Sequence, residues 1–168
     1  MRKLTTIVFI FFISLSVFAQ QDAAGEQDLV WHTSLLKASE LSKAEEKPIF
    51  AFFTGSDWCG WCHRLQKNVF AKSAFITWAK ENVILLELDF PKYKQLPPDL
   101  AQQNAGLQRA FKVSGYPTVW LFTMTSDSIE GKHLISALGK CGYPQGGVPG
   151  KEEDQFIADV NAILANKK

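Results

Sequence analysis

The chain has 168 residues with 18 basic and 17 acidic side chains, which gives a formal net charge of +1. A nearly neutral chain without a basic cluster gives no electrostatic reason to expect nucleic-acid binding. Hydrophobic residues make up 46% of the chain, which excludes a disordered protein, and three cysteines are too few for a disulfide-built scaffold.

The first residues are typical of a cleaved secretory signal peptide. A short basic start precedes an uncharged, mostly apolar stretch that ends at Ala19. This stretch is shorter than the roughly 20 residues of a membrane-spanning helix, and it follows the three-part pattern of a signal peptide. We therefore predict a signal peptide at 1–19, a flexible leader at 20–27 and one domain at 28–168. The mature protein is expected to be periplasmic or secreted, without a membrane span.

Apolar runs beyond the leader predict four main strands. The uninterrupted runs at 49–54 and 83–90 are typical of strands that are buried on both faces. Two further strands, at 118–123 and 133–138, are close enough in sequence to form a hairpin. A short edge strand is also predicted at 29–31.

Helical spacing and bounding prolines predict five helices between and after these strands. Their predicted ranges are 33–47, 59–70, 73–80, 99–113 and the amphipathic segment around 156–164. The glycine-rich segment 139–150 is predicted to be a loop. The order places two βα units first, so their strands are expected to be parallel with right-handed crossovers.

The most informative motif is Trp-Cys-Gly-Trp-Cys-His at 58–63. Because Cys59 and Cys62 are three positions apart, a helix places both sulfurs on one face. Cys59 would lie in the first turn, where unpaired N–H groups and the helix dipole favour a thiolate. This arrangement predicts that Cys59 attacks a substrate disulfide and that Cys62 resolves the mixed disulfide. The alternative is a structural disulfide or a pair of core thiols.

A second motif, Gly-Tyr-Pro-Thr at 115–118, leads into a predicted strand. Together the two motifs resemble the thioredoxin superfamily over about residues 28–165. The residue sequence from Lys47 through Cys62 most resembles exported bacterial thioredoxin-like proteins, which are similar to the thiol-reductase domain at the end of the DsbD transporter. The implied fold is α/β with three layers: a central mixed sheet of about four strands, plus the short edge strand, and helices on both faces.

The resemblance also implies roles for individual residues. Cys59 would be the nucleophile and Cys62 the resolving cysteine of a redox-active disulfide, with Pro117 as a cis-proline beside them. Tyr116 would offer backbone hydrogen bonds to an extended substrate peptide. The predicted function is a thiol–disulfide oxidoreductase, a reductase or isomerase, that acts on exported cysteine-containing proteins. It would need a redox partner, which the sequence does not identify, and no metal or cofactor.

The sequence departs from thioredoxin around the cysteines. Thioredoxin has a buried carboxylate in the strand before the motif, whereas residues 51–53 are Ala-Phe-Phe. Asp57 is interpreted as a helix-entry residue. Trp58 and Trp61 flank the thiols, where they either form an apolar lip for peptide substrates or simply pack. The segment 91–104 is longer than a minimal thioredoxin needs.

Three alternatives remain open at this point. The pattern Cys-x-x-Cys-His also attaches c-type haem, with His63 as one axial ligand and Met124 opposite it. A zinc site could be drawn from Cys59, Cys62, His63 and Cys141. Cys141 is otherwise interpreted as a packed thiol in a loop, with an intermolecular linker and a second redox cysteine as the alternatives. The third alternative is a binding module on a thioredoxin fold without catalysis.

Overall fold

The computed structural model describes residues 29–126, 133–146 and 148–165, and the predicted signal peptide and leader lie outside these ranges. Within the described ranges, no helix is both long enough and apolar enough to span a membrane.

The helices and strands of the described residues follow one another in the predicted order. The α-helices are α1 Leu35–Glu45, α2 Gly60–Leu65, α3 Ser73–Asn82, α4 Pro98–Ala110 and α5 Glu152–Ala165, and α2 continues as a π-helical turn at Gln66–Phe70. The strands are β1 Ile49–Thr54, β2 Ile84–Asp89, β3 Thr118–Ser126 and β4 His133–Cys141.

The strands form one mixed sheet in the order β2-β1-β3-β4. β1 pairs with β2 in parallel, so that Ile49 lies beside Ile84 and Thr54 lies beside Asp89. β3 is antiparallel to both β1 and β4, as the predicted hairpin requires. The mixed four-stranded sheet is therefore confirmed.

Alternate residues of β1 supply the two cores on opposite faces of the sheet. Phe50 and Phe52 belong to the core that includes buried residues of α2, α3 and α5. Ile49, Ala51 and Phe53 belong to the core that includes buried residues of α1 and α4. Every residue of β1 is buried, which is the reason that its sequence is apolar without alternation. The three-layer architecture follows from this arrangement.

Two sequence predictions about strands need correction. The predicted edge strand at 29–31 is absent, since this part of the chain makes only a single bridge between His32 and Leu86. β4 extends further than predicted, so that Cys141 pairs with Val119 in a strand and does not lie in a loop. The register shift between Leu121 and Phe122 lets the ladder continue past the residues where glycine suggested a break.

Aromatic rings fill the core on the side of the cysteine helix. The Phe156 ring of α5 lies 6.1 Å from Phe50, 5.8 Å from Phe70 and 6.0 Å from Phe75, measured between ring centroids. Phe156 is fully buried. This ring therefore joins the last helix to β1, to the π-helical turn and to α3.

We predict that Phe156→Ala lowers the free energy of unfolding by about 3–5 kcal/mol, because a buried ring is replaced by a cavity. Chemical denaturation measures the loss. The matched control is Tyr93→Ala, which truncates a side chain that is 83% exposed and should change stability by no more than about 0.5 kcal/mol. Equal effects of the two changes would contradict the central position of Phe156.

Candidate active site

A tight turn after β1 delivers the cysteine pair to the start of α2. The N–H groups of Trp58 and Cys59 both donate to the carbonyl of Gly55, at 3.2 and 2.9 Å. Cys59 is the N-cap of α2, and its sulfur accepts a hydrogen bond from the N–H of Cys62 at 3.2 Å. The helix thus begins at Gly60, one residue later than the predicted range.

Cys59 and Cys62 form a disulfide, with their Cα atoms 5.2 Å apart. The side chains are nearly or fully buried: Cys59 is 5% exposed and Cys62 is 0% exposed. Of the two residues, only Cys59 retains accessible surface, so we expect an approaching group to meet Cys59 first. The hydrogen bond that the Cys59 sulfur accepts from the first helical turn would also stabilise a thiolate on Cys59.

The second motif lies against the turn that carries the cysteines. The peptide bond between Tyr116 and Pro117 is cis. The Tyr116 ring packs edge-on against Trp58, with 5.7 Å between ring centroids, and its hydroxyl accepts a hydrogen bond from Gln108 at 2.6 Å. The fold thus brings together two segments that are more than fifty residues apart in sequence.

The two tryptophans of the motif have different environments. The indole N–H of Trp58 donates to the carbonyl of Phe90 at 2.8 Å, and a Cβ at Gly55 would overlap this indole. Glycine is required at position 55 because the ring lies directly on the turn. Trp61 is 53% exposed and meets Tyr143 at 5.2 Å between ring centroids. Trp58 therefore packs, whereas Trp61 stays available to a partner.

Asp57 does not cap the helix, which corrects the sequence interpretation. Its carboxylate accepts hydrogen bonds from the backbone N–H groups of Lys92, Tyr93 and Lys94, at 2.9, 2.8 and 3.2 Å. Desolvation acts to raise the pKa of Asp57, but these backbone hydrogen bonds outweigh it, and the pKa is lowered below the ordinary value. Asp57 thus holds the loop between β2 and α4 against the cysteine turn.

A buried carboxylate that the sequence reasoning missed lies on the neighbouring strand. Asp89 ends β2, and its oxygens accept from the N–H and the hydroxyl of Ser56, at 2.8 and 2.6 Å. Its other partner is the ammonium of Lys94 at 3.2 Å, and its carbonyl accepts from the buried Asn104 at 3.0 Å. An acid that ends an apolar strand, beside the carboxyl end of a parallel neighbour, is the signal that could have identified it.

His63 and Cys141 have different environments. His63 is exposed, and its Nε2 is 2.9 Å from the carbonyl oxygen of Ser56. Burial raises the pKa of the Cys141 thiol to about 12, and the negative charge of Asp159 adds to the rise. Cys141 packs against the core, as its interpretation as a packed thiol expects. Among the residues that the structure describes, no three His, Cys, Asp or Glu side chains form a group suited to a metal ion.

The family of the chain follows from comparison with known proteins. A family model described as a thioredoxin-like domain matches residues 36–133. The chain belongs to the thioredoxin-like domain family. The thioredoxin-like fold expected from the sequence is confirmed, whereas the specific similarity to the DsbD domain stays a prediction.

Two curated proteins of Chlamydia pneumoniae are similar to this chain. The chain is 36% identical over 120 residues to "Disulfide bond reductase DsbH", across 71% of this chain and 66% of that protein. It is 28% identical over 111 residues to "Thioredoxin-related protein DsbJ", across 66% of this chain and 32% of that protein. The chain therefore spans about two thirds of the first relative and about one third of the second.

Solved structures agree with this family. The structure titled "DsbH Oxidoreductase" matches with a TM-score of 0.67 at 33% identity, covering 82% of this chain and 85% of that chain. A thioredoxin from Thermus thermophilus matches with a TM-score of 0.55 at 13% identity, covering 82% of this chain and 88% of that chain. The second likeness concerns the fold alone.

A cysteine pair in this setting can exchange two electrons reversibly between a dithiol and a disulfide. The mixed sheet and the closed disulfide fit this chemistry better than haem attachment, which joins both cysteines to the porphyrin through thioether bonds. Cys59, Cys62 and Trp58 lie at the turn after β1, and Tyr116, the residue before Pro117, packs against Trp58. The binding and catalytic roles of these residues stay predictions.

We predict that Asp57→Asn lowers the unfolding temperature at pH 7, because the amide cannot accept three backbone N–H groups as the carboxylate does. The pKa of Asp57 is lower in the folded state, so its contribution is present above the ordinary pKa of 3.8 and disappears as the pH falls through the folded value. The difference between variant and wild type should therefore shrink toward pH 3. The control is Glu81→Gln, an exposed carboxyl on α3. A difference that is independent of pH would contradict the role of the charge.

Proposed function

We propose that this protein is a thiol–disulfide oxidoreductase that reduces disulfide bonds in exported proteins. The observation that carries the proposal is the disulfide between Cys59 and Cys62 at the start of α2, where the preceding Trp58 packs against Tyr116 of the cis Tyr116–Pro117 bond. The similarity to a protein named as a disulfide bond reductase supports the reducing direction.

In the proposed reaction, the protein begins with both cysteines reduced. The thiolate of Cys59 attacks one sulfur of a substrate disulfide, so that a Cys59–substrate bond forms and the substrate bond breaks. The displaced substrate thiolate takes up a proton. Cys62 then loses its proton and attacks Cys59, which releases the second substrate thiol. Two electrons and two protons pass to the substrate, and the Cys59–Cys62 disulfide remains.

The roles of the two cysteines follow from their positions. Cys59 retains some exposure, and its sulfur already accepts the N–H of Cys62, an interaction that favours the thiolate. Cys62 is fully buried and lies inside the helix, bonded to Cys59. The cycle also requires a dithiol donor of lower reduction potential, which returns the pair to the reduced state.

Substrate contacts are proposed at the rim of the cysteine turn. The backbone of Tyr116 and Pro117 would pair with an extended substrate segment, as in strand addition. Trp61 would supply an exposed apolar surface beside the disulfide. Trp58 would contribute indirectly, because its indole is hydrogen-bonded to the carbonyl of Phe90 and packs against the Tyr116 ring.

Export is proposed from the sequence of the N-terminal segment. A signal peptide at 1–19 would direct the domain to the periplasm or the outside of the cell. Disulfide bonds persist in these compartments, so substrates are available there. The proposed substrates are therefore exported proteins that contain cysteines.

Cys62→Ser is predicted to trap substrates, because Cys59 can attack but the mixed disulfide cannot be resolved. Covalent adducts with exported proteins should accumulate and should disappear on addition of a reductant. Non-reducing gels, run on material alkylated at harvest, measure the adducts. The double variant Cys59→Ser/Cys62→Ser should trap nothing.

Cys141→Ser is the matched control for this experiment. The raised pKa keeps the Cys141 thiol protonated at neutral pH, so it does not compete as a nucleophile. The variant should retain wild-type turnover of disulfide substrates. A folded, exported Cys62→Ser protein that forms no adducts would contradict the proposed function.

The reducing direction predicts the reduction potential of the cysteine pair. Equilibration with glutathione should give a reduction potential of about −270 mV, as in thioredoxin, and not of about −120 mV, as in the strong oxidant DsbA. A value at the oxidising end would refute the reductase assignment while leaving the exchange chemistry intact.

A further inference from the structure

Each tryptophan of the cysteine motif carries a cation over its ring. The ammonium nitrogen of Lys92 lies 3.9 Å from the ring centroid of Trp58. The guanidinium carbon of Arg64 lies 4.7 Å from the ring centroid of Trp61. Both distances are within the range of cation–π attraction, so each charge is held over a ring of the cysteine motif. Arg64 and Lys92 are called the cationic pair below.

The cationic pair belongs to a local excess of positive charge. Four segments meet around the disulfide through the contacts described above: 54–67, 90–97, 114–118 and 142–146. Together they contain four basic residues besides histidine and one acidic residue, although the whole chain is almost balanced. The basic residues are Arg64, Lys67, Lys92 and Lys94, and the acidic residue is Asp57.

The nearby acids are already occupied by other partners. Asp57 is bonded to three backbone N–H groups, and Asp89 is paired with Lys94 at 3.2 Å. Within the described residues, neither Arg64 nor Lys92 forms an ion pair with an acidic side chain. Both are exposed, so their charges are accessible to a partner from the solvent.

The position of Lys92 is fixed by the fold. Trp58 donates to the carbonyl of Phe90, and Asp57 accepts the N–H of Lys92 itself, so the loop is bound at two points to the cysteine turn. Arg64 is fixed in the same way by its place in α2, two residues after Cys62. A charge that is held in place loses little conformational entropy when a partner binds.

We propose that the cationic pair determines substrate specificity, by selecting protein segments that carry Asp or Glu within a few residues of the disulfide to be reduced. This inference rests on the proposed function, since it concerns the substrates of that reaction. Acidic residues beside the substrate cysteine would approach the charge of Arg64 or that of Lys92. The charges would act mainly by steering the encounter and orienting the bound segment.

The test uses three peptides that each contain one disulfide and differ only in the residues beside it, which are Glu, Gln or Lys. The reduced protein is mixed with each peptide, and tryptophan fluorescence gives the second-order rate constant of a single turnover. Each rate is divided by that of dithiothreitol with the same peptide, which corrects for the effect of the flanking charge on the disulfide itself. We expect the corrected rate constant to be highest for the Glu peptide, intermediate for the Gln peptide and lowest for the Lys peptide. At low salt it should change by about threefold to fivefold per charge, the scale of exposed ion pairs, and by less in 0.5 M salt.

Charge reversal provides the decisive variant. The double variant Arg64→Glu/Lys92→Glu should invert the order of the Glu and Lys peptides when each corrected rate is divided by that of the Gln peptide with the same variant, which cancels any change in the reactivity of Cys59 itself. The matched control is Lys43→Glu, an exposed lysine in α1 on the opposite face of the sheet, which should preserve the wild-type order.

The outcomes separate this inference from the proposed function. If the wild type reduces all three peptides with equal corrected rates, the inference is overturned and the oxidoreductase function stands. If the charge-reversed variant keeps the wild-type order, other groups set the preference and the inference is again overturned. If the wild type reduces none of the peptides, the proposed function fails and the inference fails with it.

Discussion

The burial of β1 on both faces is the constraint on which the rest of the structure depends. Phe50 and Phe52 anchor one core and Phe53 the other, so this strand cannot shift without disturbing both sides of the sheet. The cysteine turn starts directly after Thr54, the last residue of the strand. The position of the disulfide is therefore set by the whole core, which is a rigid support for a reactive group.

Polar groups then fix the turn where apolar packing ends. Asp89 binds Ser56 from the neighbouring strand, and Asp57 binds the loop that follows that strand. These carboxylates supply the acceptors that the exposed backbone of two adjacent loops requires. Neither carboxylate takes the place of the buried acid of thioredoxin, because neither lies in β1. Their structural roles are to join two loops that meet at the carboxyl edge of the sheet.

The surface around the disulfide divides into supporting and exposed groups. Trp58 is tied to Phe90 and packs against Tyr116, so its ring belongs to the framework. Trp61 is mostly exposed and meets Tyr143 from the segment after β4. The motif therefore combines a structural ring, Trp58, with a ring that a partner can contact, Trp61. Lys92 lies over the first ring and Arg64 over the second.

The sequence by itself determined the features that depend on neighbours in the chain. The apolar run of β1 predicted a doubly buried strand, and the spacing of Cys59 and Cys62 predicted a pair that can close. Only the tertiary structure decided that Asp57 binds the loop at Lys92 to Lys94 and that Asp89 binds Ser56, which are 33 to 37 positions apart in sequence, and that Cys141 belongs to a strand. The spacing of apolar residues indicates which face of a helix or strand is buried. The hydrogen-bond donors of a carboxylate are decided only when the fold brings separate loops to the same edge of the sheet.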